Sequence, residues 1–126
     1  MKSEEEVIKF EKVQTQIKGL YNEIGILSKK NPNDAVNKFK LKFINQSLKE
    51  ANDILKNKKP YSDFDVFNED DTPSTSDVVM ILEQYYSALE KMRCTNIKQK
   101  DYKTWVWIIN GKQSNMETNS STLNNK

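Results

Sequence analysis

The sequence predicts an all-α fold: an antiparallel helical hairpin, a third helix and a short fourth element, helical or strand, forming a three- to four-helix bundle. Apolar residues recur at alternating spacings of three and four in three separate stretches, which marks one-sided helices. Only three glycines occur in 126 residues, too few for a turn-dense β fold. A chain of this length suits one domain and buries a core without disulfides or a metal.

The first helix is the clearest. Ser3 and Glu6 form a capping box, and Glu4 and Glu5 add negative charge at the positive end of the helix dipole. Phe10, Val13, Ile17, Leu20, Ile24 and Leu27 then step 3-4-3-4-3, a heptad seam that Val7, Tyr21 and Ile26 widen. Gly19 and Gly25 lie within it and leave room for the close approach of a neighbouring helix. Asn31-Pro32-Asn33-Asp34 ends the helix and caps the next, expected over 35–55, where Leu41, Ile44, Leu48, Ala51 and Leu55 repeat the spacing. The short turn makes the two antiparallel.

A long connection follows over 60–76. Phe64, Val66 and Phe67 are set among acids there, and these aromatics are expected to pin it to the hairpin. The third helix starts near Ser76 or Asp77 and stops near Thr95, with Val78, Leu82, Tyr85, Leu89 and Met92 as its stripe. In the piece from Asp101 to Gly111, Tyr102, Trp105, Val106 and Ile109 suit a helix ended by Gly111, and helix is the reading adopted. Trp105-Val106-Trp107-Ile108-Ile109 is also a run of β-formers, with Phe64–Phe67 as the partner such a strand would take. The organisation expected is a helical domain over 1–111 and a disordered polar tail over 112–126.

Composition excludes several chemistries. Histidine is absent, which removes most general-base triads and nearly all zinc sites. The lone Cys94 forms no internal disulfide and, at a helix C-terminus without a basic partner, makes a poor nucleophile. The acidic run Asp63 to Asp71 fails as an EF-hand, with Phe67 at the fifth position, Asn68 at the glycine position and Ser74 in place of the bidentate glutamate. No phosphate loop, dinucleotide fingerprint or nucleophile elbow occurs. No catalytic residue, cofactor or metal ligand is therefore assigned. A secretory h-region is missing and no apolar run nears the roughly 20 residues of a membrane span, so a cytoplasmic location without membrane contact is expected.

Charge is uneven although the net charge is only +2. From Lys29 to Lys59 nine lysines face three acids, a balance of +6; from Pro60 to Val78 six acids face no basic residue, a balance of −6. The acidic loop folds over the basic helix, or the lysines meet phosphates, or either patch steers a charged protein. The function expected is a non-enzymatic protein-interaction module, adaptor or accessory subunit, self-associating through the first-helix seam. Its partner interface would comprise Phe10, Ile17, Ile24, Trp105 and Trp107. The alternative is a sequence-independent nucleic-acid-binding accessory protein using Lys38, Lys42 and Lys49. Arg93 as the sole arginine argues against base readout.

Overall fold

The computed structural model describes residues 1–123. Three helices, α1 (Glu4–Lys30), α2 (Lys38–Leu55) and α3 (Thr75–Cys94), precede three strands, β1 (Ile97–Gln99), β2 (Trp105–Ile109) and β3 (Lys112–Thr118). The strands form one antiparallel sheet in the order β1-β2-β3. The architecture is α+β, which corrects the all-α expectation.

The helices begin where their caps dictate. Ser3 Oγ accepts from the Glu6 amide at 3.1 Å, and Glu6 Oε2 reaches back past the cap to accept from the Lys2 amide at 3.0 Å, a variant of the capping box. Asn37, three residues beyond the expected cap at Asp34, starts α2 by accepting from the Lys40 amide at 2.8 Å. Ser74 starts α3 through the Asp77 amide at 3.2 Å.

Pairings across the helices give their directions. Gln14 Nε2 donates to Glu90 Oε1 at 2.9 Å, and Tyr21 Oη donates to Glu83 Oε2 at 3.1 Å, so α1 and α3 run antiparallel. Tyr85 Oη donates to Asn52 Oδ1 at 2.6 Å, and the Thr75 amide donates to the Asp34 carbonyl at 2.8 Å, so α2 and α3 run parallel. Two parallel helices in succession require the chain to travel back the length of one of them, which explains the long connection. It runs along α2, held by side chain to backbone bonds: Asn45 exchanges two with Phe67, and Asn52 donates to the Asp65 carbonyl. Phe64 packs edge-on against Phe67 and against Tyr85 of α3, whereas the aromatics of this segment were expected to pin it to the α1–α2 hairpin. At its end Val36 and Pro73, Asp34 and Thr75, and Pro32 and Ser76 share backbone hydrogen bonds that clasp the α1–α2 turn to the start of α3.

The sheet arises from a turn signal. Asn110 and Gly111 have φ of 53° and 74°, consecutive left-handed residues as a type I′ hairpin requires, and Ile109 pairs with Lys112 across them. Gly111 therefore turns a hairpin where it was expected to end a helix. The strand partners of β2 are β1 and β3, and the expected partner Phe64–Phe67 lies on α2. Lys112–Thr118, assigned by composition to a disordered tail, is β3, and the domain extends past 111 accordingly; residues 124–126 of that expected tail lie outside the described residues. β3 is polar because it contributes mainly backbone. Between Val106 and Ile108 its register shifts, and Ser114 Oγ donates to the Trp107 carbonyl at 2.7 Å where the ladder is interrupted. Asp101 forms the β1–β2 turn by accepting from the Lys103 and Thr104 amides, each at 3.0 Å.

The core gathers Val7, Phe10, Val13, Ile17 and Ile24 of α1, Leu41, Ile44, Leu48 and Leu55 of α2, and Val78, Leu82, Tyr85 and Leu89 of α3. Ile97 and Trp107 of the sheet complete it. Trp107 stands edge-on to Phe10 with ring centroids 5.3 Å apart, and its indole N–H donates to Glu11 Oε2 at 3.2 Å.

The glycines separate local cost from packing. A Cβ at Gly19 or Gly25 would meet nothing within 4 Å, so neither admits a neighbouring helix. Gly19→Ala is expected to stabilise the fold by about 1 kcal/mol. Gly111→Ala, equally free of neighbours but at positive φ, is expected to destabilise it by about 1 kcal/mol. Urea unfolding of the two variants checks the opposite signs.

Candidate interaction surface

Of the residues expected at a partner interface, Phe10, Ile17, Ile24 and Trp107 are almost completely buried in the chain's own core and Trp105 is half-buried beside them. The seam is covered by α2, α3 and the sheet. The largest exposed aromatic group lies instead on α2. Phe39 is 71% exposed and Phe43 44% exposed, and their rings meet edge-to-face with centroids 5.1 Å apart. At about 100° per residue, Phe39, Phe43, Gln46 and Glu50 occupy an arc of about 60° on one side of the helix. A groove of about 410 Å³ beside them is lined by Gly19, Leu20 and Glu23 of α1 and by Phe43, Gln46 and Glu50 of α2.

The charge order of α2 sets it apart from the other helices. α1 begins with Glu4, Glu5 and Glu6 and ends with Lys29 and Lys30; α3 has Asp77 in its first turn and Lys91 and Arg93 in its last. Both orders suit the helix dipole. α2 has no acid in its first turn, where Lys38 and Lys40 stand, and no basic residue in its last. The lysines of its first turn oppose its dipole, a cost of some tenths of a kcal/mol for each group, whereas Lys56 and Lys58, just past its last residue, suit it.

The lysines expected at phosphates, Lys38, Lys42 and Lys49, fall within about 40° of one another on one side of α2, beside the acidic connection. Lys38 approaches Asp70 of the connection at 4.0 Å, both side chains largely exposed. Lys42 and Lys49 flank a shallow hollow shared with Asn45, Val66, Phe67 and Glu69. The acidic connection thus lies against this side of α2, although its firmest bonds are made by asparagines.

No family model, curated protein or solved structure matches this chain. Its own geometry is the guide to its chemistry.

A second polar centre lies between α1, α3 and the C-terminal segment. Arg93, 5% exposed, pairs bidentately with Glu90, through Nε at 2.8 Å and Nη2 at 2.7 Å. Its Nη1 donates to Thr118 Oγ1 and the Asn119 carbonyl, and Nη2 also donates to the Ser120 carbonyl. All five guanidinium N–H groups are engaged. Glu90 also accepts from Gln14 and Thr122. Burial pushes the Glu90 carboxyl up, but Arg93, Thr122 and Gln14 outweigh it and hold it at about 2. A carboxylate so engaged is a lock and a poor proton carrier near neutral pH. Burial likewise raises the Cys94 thiol, and hydrogen bonds from residues 121–123 outweigh that and lower it. The sequence reading missed this centre: Glu90 and Arg93 are three apart on a helix, a spacing common on solvated faces, and all their other partners but Gln14 lie in the supposed tail.

Among the described residues no group of three Cys, Asp or Glu side chains is arranged to hold a metal ion. No helix is long and apolar enough to cross a membrane.

Removing one partner of the lock should be costly. Arg93→Met leaves the largely buried Glu90 carboxylate without its counter-charge and is expected to destabilise the fold by about 3 kcal/mol, measured by urea unfolding. Because Glu90 titrates lower in the folded chain than in the unfolded one, its contribution is complete above the usual glutamate range, near pH 4.5, and is lost as pH falls toward 2. Glu90→Gln should flatten that part of the stability–pH curve.

Proposed function

We propose that this chain is a non-enzymatic protein-interaction module that pairs with a second copy of itself through the exposed face of α2. The charge order of that helix around its two exposed phenylalanines carries the reading. Within one copy the lysines oppose the dipole. When two copies pack α2 against α2 antiparallel across a two-fold axis, the lysine end of each lies over the Glu50 end of the other. Helix dipoles then oppose favourably as well. What costs stability in one copy becomes complementary between two.

Phe39 and Phe43 supply the apolar centre such a contact needs, and the adjacent groove receives side chains of the second copy. The contact is placed on α2 because the side chains of the α1 seam are already spent in the core.

Nucleic acid is the competing occupant, on the adjoining flank of α2, through Lys38, Lys42 and Lys49. Two features favour protein. The phenylalanine rings meet at 72°, so they offer no pair of parallel faces to successive bases. Glu50, Glu69 and Asp70 interrupt the basic track that a phosphate backbone would follow.

Sedimentation velocity across the micromolar range is expected to give a concentration-dependent dimer that salt weakens. Lys42→Glu and Glu50→Lys should each raise the dissociation constant about tenfold or more, and their combination should restore it. Phe39→Ser with Phe43→Ser should remain monomeric with an unchanged circular dichroism spectrum. A wild-type monomer at every concentration overturns the proposal. So does a chain that associates only with added oligonucleotide.

A further inference from the structure

At the opposite end of the helices from the α1–α2 turn, the start of α1 meets the ends of α2 and α3. A cavity of about 350 Å³ opens there. Lys2 and Lys9 enter it from the start of α1, and Lys56 and Lys58 from the single 3₁₀ turn, Lys56–Lys58, that follows α2. Ile54 and Met92 give it an apolar side, and Glu6 and Asp53 bound it. We propose that this cavity binds a small organic phosphate carrying two or more adjacent negative charges, of the nucleoside diphosphate class.

Four lysines from two distant chain segments line one cavity because α1 and α2 are antiparallel. Among the described residues none of the four is in an ion pair. Like charges gathered this way repel one another and concentrate the positive field in a recess, an arrangement that an anion relieves. Lysine at a helix C-terminus is ordinary, and Lys56 and Lys58 also answer the dipole of α2. Lys2 and Lys9 have no such reason. Lys2 stands just before the positive end of α1, where the dipole disfavours it, and Lys9 lies in the second turn.

Lys56 itself is held at φ 53° and ψ −120°, backbone suited to glycine. A lysine kept where glycine fits without strain indicates that the position needs its side chain.

The cavity is of the size that takes small ligands. The two acids that bound it break any continuous phosphate track, which favours a compact ligand over a nucleic-acid backbone. Glu6 is already engaged with the Lys2 amide at 3.0 Å. Asp53 remains to accept a ligand hydroxyl, while Ile54 and Met92 pack on the ligand's ring system.

Isothermal titration with ADP, pyrophosphate, inorganic phosphate and a short single-stranded oligonucleotide tests the assignment. ADP and pyrophosphate are expected to bind at one site, ADP more tightly, and orthophosphate at least about tenfold more weakly. Lys9→Gln combined with Lys56→Gln should weaken ADP at least about tenfold, whereas Lys38→Gln, remote from the cavity, should leave it unchanged. Lys56→Gly should melt a few degrees higher than wild type and yet bind ADP more weakly, separating relief of strain from loss of the ligand contact. No heat with either diphosphate overturns the proposal. Equal affinity in the double variant does the same, as does binding of the oligonucleotide alone.

Discussion

The apolar stripe of α1 is longer than any one neighbour can cover. At 1.5 Å per residue the 27 residues of α1 extend about 40 Å, while the 18 of α2 extend about 27 Å and the 20 of α3 about 30 Å. A two-helix hairpin would leave part of that stripe in water. The chain resolves this by laying α2 and α3 along α1 in the same direction and placing Trp107 over Phe10 near its start. From that follow the parallel pair, the long return connection along α2 and the sheet at the end of the chain. The connection is structural from end to end: asparagines at 45 and 52 bind its backbone, and Phe64, Val66 and Phe67 pack on the core.

Helices were legible because their information is local. The capping box at Ser3, the spacing of the α1 stripe and the serine-rich start of α3 each state their structure within a few residues. The sheet was written in a weaker script. Its third strand carries Met116 as its only large apolar side chain, so no alternating pattern announces it. Asn110-Gly111 did announce the hairpin, but the same glycine also suits a helix end, and the aromatic run before it fits either period. Of the candidate surface, the lysines of α2 were visible. The exposure of Phe39 and Phe43 was not, since an aromatic beside a stripe reads as a widening of it until the neighbours are known. The Arg93–Glu90 lock was illegible for another reason: three of the five arginine donors go to residues 118–120, two of them to main-chain carbonyls, which side-chain patterns do not reveal.

Charge therefore performs two separate jobs in this molecule. Where it is buried it is fully partnered and fixes one arrangement of α1, α3 and the C-terminal segment. Elsewhere, the close Lys59–Asp65 pair aside, it is left loosely paired: Lys38 stands 4.0 Å from Asp70, and the lysines around the cavity beside Lys56 have no carboxylate partner among the described residues. The stability of the fold rests on the first kind. The second kind is free to answer molecules outside the chain, and at the start of α2 it sits against the helix dipole.

The place of Trp107 in the chain has a bearing on how the protein is made. α1 leaves the ribosome first, and its strongest cover near Phe10 arrives only with β2, after α2 and α3 have been synthesised. Until then the aromatic end of α1 is open to solvent, and Arg93 has none of the carbonyls that later surround it. Nascent chains paused before residue 107 would thus present a greasy, half-assembled helix trio to chaperones and proteases. Synonymous codon choice across the β2–β3 hairpin, which alters no atom of the finished protein, would set how long that exposure lasts.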